Sequence, residues 1–224
     1  MTLKYLYLVP LLTLILPASP LMILYKRKGL LVKPLVIGIG LLVLTLIVQP
    51  AIQYIPVQML GIDIRNPSQG IMIPLFLYVA LVSGFFQEYL KYIGVKAKEN
   101  LYALWVGGGF GLGETLLVAF NQFLAVIVGI SFPVILGLLA VYERFATTVY
   151  HMFSAGILAY YSTKSRSLLA YVVLAVVHSL MNFQAILLTS MYGYTFPALL
   201  IVYGIITIVS FSVAIYYLKV IHSG

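Results

Sequence analysis

Stretches of roughly 20 apolar residues recur along the whole chain, and no other feature limits the fold so severely. The hydrocarbon core of a bilayer is about 30 Å thick, and an α-helix rising about 1.5 Å per residue crosses it in about 20 residues. Such stretches fall near residues 4–25, 30–55, 70–95, 102–129, 133–162, 167–190 and 195–219. Backbone amides in hydrocarbon have no water to bond, so each run is expected to satisfy its own as a helix. The expected fold is therefore all-α, a polytopic transmembrane bundle of about seven helices forming one integral membrane domain over residues 1–224. Composition agrees: 63% of residues are hydrophobic and 8% charged, against about 25% charged in an average soluble domain.

The breaks between the runs carry ordinary punctuation: Lys26-Arg27-Lys28-Gly29, the polar stretch from Gly61 to Gly70 with Asn66-Pro67-Ser68, then Lys96 to Asn100, Ser131 to Pro133, Ser162 to Ser167, and Met191 to Pro197. Basic residues favour cytoplasmic loops, and here they alternate. Lys26, Arg27, Lys28 and Lys33 fall in loop one, Lys96 and Lys98 in loop three, Lys164 and Arg166 in loop five, and Lys219 near the C-terminus, whereas the even loops hold only Arg65. This predicts a multi-pass protein of the plasma membrane, N-terminus outside and C-terminus in the cytoplasm. Pro17-Ala18-Ser19 loosely resembles a cleavage region, but the strong positive charge follows the first apolar run, which suits a retained helix. The net charge of +8 comes from scattered helix-end residues and forms no stripe, so a nucleic-acid partner is not expected. Cysteine is absent, which excludes disulfides, thiolate metal sites and cysteine nucleophiles.

An ionised side chain at the centre of a membrane helix costs about 2.5–3.5 kcal/mol on insertion scales, so each one calls for a partner or a purpose. This chain places Glu88 and Lys91 in the third run, Glu114 in the fourth, Glu143, Arg144 and His151 in the fifth, and His178 in the sixth. Counting at about 1.5 Å per residue from the basic ends puts Glu88 roughly 12 Å deep, Glu114 and His178 roughly 17 Å, and His151 roughly 19 Å. Four helices thus bring carboxylates and imidazoles to matched depth. Lys91 either snorkels to the interface or pairs with Glu88 or Glu114. Glu143 and Arg144 project about 100° apart, which predicts that they brace different neighbours. In the run Gly107-Gly108-Gly109-Phe110-Gly111-Leu112-Gly113 no Gly-Lys-Ser/Thr follows, so a phosphate loop is rejected. Gly107 with Gly111, and Gly109 with Gly113, are spaced to let helices approach closely. The 18 tyrosines are assigned to interfaces and packing.

His178 and Asn182 lie one helical turn apart, as do Phe110 and Glu114. Together with Gln87-Glu88-Tyr89-Leu90-Lys91 and Glu143-Arg144 followed by His151, these motifs over residues 80–185 resemble the glutamic-type intramembrane proteases. That group comprises the CAAX-prenyl-protease and bacteriocin-processing proteins with the PrsW-like and YhfC-like families, and the Glu-Arg followed by His looks most like the YhfC branch. The resemblance implies an endopeptidase that hydrolyses a peptide bond within the membrane, on a membrane-anchored or lipidated peptide. It implies Glu88, Glu114, His151, His178 and Asn182 as catalytic, with Gln87, Lys91, Phe110, Glu143 and Arg144 in support, the first two helices and the last serving as frame.

One position departs from the pattern. Gln87 stands where the family has the first glutamate of a pair, thought to activate water, and an amide has no basic atom for that task. Either Glu88 or Glu114 takes the role, or the chain is an inactive relative acting as a subunit or chaperone beside partner membrane proteins. No cofactor is expected; zinc held by His151, His178 and Glu114 is the minor alternative, without an HExxH motif to support it. A proton or ion transporter is a third reading, since buried Glu and His also build proton relays, but no pair of interrupted segments marks an inverted repeat.

Overall fold

The computed structural model describes residues 3–62, 69–130 and 133–222, with side chains from residue 7 onward and, after the first gap, from residue 71. These residues form eight helices and no strand: α1 (Leu3–Ile15), α2 (Ser19–Lys28), α3 (Val32–Met59), α4 (Gln69–Val95), α5 (Asn100–Ile127), α6 (Val134–Ser162), α7 (Ser167–Tyr192) and α8 (Phe196–His222). The chain is an all-α, polytopic membrane bundle. Arg65, the Asn66-Pro67-Ser68 break and Ser131 lie outside the described residues.

The first apolar run is two helices, where one over 4–25 was expected. Pro17 has no backbone N–H to continue α1, and Pro20 sits at the start of α2, where its missing donor costs nothing. The two still make one apolar stretch, Tyr7–Lys28, long enough to cross a bilayer. By length and apolarity five further helices qualify: Val32–Met59, Ile71–Val95, Asn100–Ile127, Ser167–Tyr192 and Phe196–His222. The remaining long helix, α6, is 29 residues but is less apolar, because Glu143, Arg144 and His151 occupy its middle. Packing explains how such a helix is tolerated. Every residue from Ala146 to Ala159 except Phe153 is buried, and α6 packs on α5 and α8 and touches α1, α2, α4 and α7. Its polar groups face protein, not lipid.

Glycine allows this centre to close. A Cβ on Gly107 would overlap the His151 carbonyl and one on Gly111 would press on Thr148, so this pair seats α6. Gly109 and Gly113, on another face, meet Leu35 and Leu42 of α3. Both pairs behave as the small-xxx-small spacing predicted. Gly107→Val should therefore cost at least about 1–3 kcal/mol, since the clash is with backbone that has no rotamer to yield. A thermal-unfolding midpoint in detergent equal to the parent's would refute this seat.

The basic helix ends flank tyrosines: Lys96 lies over Tyr92, Lys98 over Tyr102 and Lys164 over Tyr160. The Ala97 N–H donates to Ser162 Oγ at 2.9 Å, so the α4–α5 turn and the end of α6 share one face of the bundle.

Candidate functional site

The site is built from α4, α5, α6 and α7, whose polar residues recur at helical spacing and so point inward from each side. α4 supplies Gln87, Glu88 and Lys91; α5 supplies Phe110 and Glu114; α6 supplies Glu143, Arg144, Tyr150, His151 and Ser154; α7 supplies His178 and Asn182.

Its inner part is dry. Glu88 and Lys91 are both 0% exposed and form an ion pair of 2.7 Å one turn apart. The Lys91 ammonium has three protons, and three acceptors surround it: Glu88 Oε1 at 2.7 Å, Ser154 Oγ at 2.7 Å and His151 Nδ1 at 3.0 Å. With Nδ1 accepting, the imidazole proton of His151 sits on Nε2 and is donated to Glu114 Oε2 at 3.2 Å. Phe110 packs on the His151 ring, centroids 4.8 Å apart, and holds its plane. His178 donates from Nδ1 to Glu88 Oε1 at 2.9 Å, which leaves Nε2 for the other side of the ring. The two imidazoles meet edge to face at 5.4 Å, and Tyr150 packs against both. Lys91 has therefore not snorkelled. Of the two expectations for it, pairing with Glu88 holds.

The outer part opens onto a cavity of about 330 Å³. Gln87, Glu114, Glu143, Arg144, Thr147, Tyr150, His151, His178, Met181 and Asn182 line it, and Ala185, Ile186 and Thr189 extend the wall along α7. Arg144 Nη1 donates to Glu114 Oε2 at 2.9 Å, while its Nε and Nη2 donate to Glu143. Both contacts to Glu114 end on Oε2, so Oε1 has no protein partner among the described residues. Glu114, Glu143 and Arg144 are 18%, 12% and 16% exposed, against 0% for the inner pair, which separates a partly open rim from a fully buried floor.

Four expectations change. Glu143 and Arg144 pair with each other and face one cavity, because long side chains bridge the 100° between their Cβ directions; Arg144 also braces α5 through Glu114. Glu88 lies behind His178 and does not line the cavity, whereas Glu114, His151, His178 and Asn182 all do. The last helix is more than frame, since Leu199, Val202, Tyr203 and Ile206 of α8 form one wall. The second apolar run also contributes: Gln87 Nε2 donates to Gln49 Oε1 at 3.1 Å, and Gln49 and Gln53 both donate to Ser83 Oγ.

Tyr150, Ser154 and Gln49 were missed by sequence reasoning. Gln49 and Gln53, one turn apart inside an apolar run, carried a readable signal of a polar helix face. Ser154, three residues after His151, shares the face of α6 that carries that imidazole. Nothing distinguished Tyr150 from 17 other tyrosines. Among the described residues no group of three or more His, Asp or Glu side chains is arranged to hold a metal ion. In the His151, His178 and Glu114 set, both nitrogens of His151 are already engaged, by Lys91 and by Glu114.

Fold and site together define a class: a multi-pass helical membrane protein with an ion-paired Glu/His cluster in its interior. No family model, no curated protein and no solved structure matches this chain.

Proposed function

We propose that the chain is an intramembrane endopeptidase of the glutamic type, related to the CAAX-protease-like, PrsW-like and YhfC-like proteins that its motifs resemble. The observation that carries this is the convergence of Glu114, His151, His178 and Asn182 on one cavity. A water placed between Glu114 Oε1 and the substrate carbonyl loses its proton to Glu114 as its oxygen attacks. The Asn182 amide donates to the oxyanion so formed, with His178 one turn away on the same face of α7. Glu114 then passes the proton to the departing amine as the C–N bond breaks, and both peptide halves carry the elements of that water.

By the positive-inside rule the basic face of the bundle is read as the cytoplasmic one, with the C-terminus on that side, and the resemblance implies a membrane-anchored or lipidated peptide as substrate in the plasma membrane.

A non-catalytic role as a membrane-complex subunit is favoured by one residue, Gln87, which lines the cavity with its Oε1 unpartnered. The two roles separate in one assay of purified protein on a panel of membrane-anchored peptides. Cleavage by the parent chain is the expected result. Cleavage only after Gln87→Glu would assign the native chain to the inactive class.

A further inference from the structure

A second cavity, of about 510 Å³, lies away from the catalytic cluster between α6, α7 and α8. Its walls are almost wholly apolar, with Ile157, Val173, Val177 and Val213 among them, and one end carries Arg166, Tyr161 and Tyr216. Arg166 is exposed at the start of α7 and forms no ion pair among the described residues. The two tyrosine hydroxyls there share a hydrogen bond of 2.7 Å. A groove of this kind within a bilayer does not stay empty, because its walls disfavour water and an unfilled void forfeits dispersion contacts.

We propose that this groove is a binding site for one anionic glycerophospholipid, with an acyl chain along α7 and the phosphate on Arg166. The lengths match the chemistry. From Arg166 to Val177 is about 16 Å of helix, the reach of most of an acyl chain within a leaflet about 15 Å deep. The charges match as well: guanidinium offers forked donors to phosphate oxygens, and the Tyr161–Tyr216 pair offers the one hydroxyl proton that it does not spend on itself. A zwitterionic lipid would supply the same hydrocarbon but would bring its own cation to Arg166. The α7 stripe that lines the groove continues through Val177 to Met181, which lines the catalytic cavity, so the bound chain also closes the seam between α7 and α8.

The test uses delipidated full-length protein in detergent, with lipid binding read by native mass spectrometry and by the thermal midpoint. Phosphatidylglycerol, phosphatidylcholine with the same acyl chains, and inorganic phosphate are the three probes. The parent chain should prefer phosphatidylglycerol over phosphatidylcholine by about fivefold, the size of one basic residue's attraction to an anionic lipid. Arg166→Gln should erase that preference while leaving some binding of both lipids. Val173→Trp, at a half-exposed position, should reduce binding of both by filling the groove. Equal binding of the two lipids by the parent, a preference retained in Arg166→Gln, full binding in Val173→Trp, or equal stabilisation by inorganic phosphate would each overturn the proposal. None of these substitutions touches the Glu/His cluster, so the outcome is separable from any effect on peptide cleavage.

Discussion

Lys91→Met is expected to destabilise the folded bundle by about 3–5 kcal/mol, the usual result of leaving a buried ion without its partner. The cause is the position of Glu88, which is 0% exposed and whose Oε1 already serves both Lys91 and His178. Without the ammonium, Glu88 must either take up a proton or remain charged in a dry interior, and His151 Nδ1 and Ser154 Oγ lose their donor at the same time. Methionine preserves the length of the side chain, so packing is little changed and the loss reports charge. The double variant Glu88→Gln with Lys91→Met should regain most of the stability, since no ion is then stranded. Thermal or denaturant unfolding in detergent measures both. A single variant as stable as the parent would mean that the pair is not buried as described.

Glu114→Gln should lower peptide cleavage by about 10²- to 10⁴-fold, the contribution typical of a positioned general base. The amide keeps the shape of the carboxylate, and its oxygen still accepts from Arg144 and His151, so the bundle should remain folded. Only basicity is lost. Glu143→Gln is the matched control, because Glu143 lines the same cavity and pairs with the same arginine yet has no catalytic step assigned to it. Comparable rates for Glu114→Gln and the parent would remove Glu114 as the base. Equal losses in the two variants would point to the charge balance around Arg144 as the cause.

The fold was legible because a bilayer leaves few choices. Length and apolarity alone located the helices, with one error: Pro17 divides the first run, although the combined stretch still suffices to span. The glycine pairs were legible for a similar reason, since a missing side chain at i and i+4 has one common use between helices. Much of the site was legible too, because ionisable residues are costly in hydrocarbon and therefore conspicuous in so apolar a chain. Depth counting brought Glu88, Glu114, His151 and His178 to similar depth, and all four do belong to one hydrogen-bonded cluster.

The order within that cluster could not be counted along the chain. Whether Lys91 snorkels or pairs, and whether Glu88 or Glu114 faces the cavity, depends on where neighbouring helices stand, which is a matter of rotation and crossing between segments far apart in sequence. The same holds for Glu143 and Arg144: a helical wheel gives the direction of each Cβ, whereas the end of a long side chain goes where an opposite charge draws it. The wall contributed by α8 and the hydrogen bond from Gln87 to Gln49 are likewise products of packing. The recurring apolar runs thus determined that this chain crosses the membrane as helices, since each helix satisfies its own backbone. Tertiary structure alone divided the buried charges into a fully buried floor around Glu88 and Lys91 and a partly open rim around Glu114, because desolvation depends on what every other helix excludes.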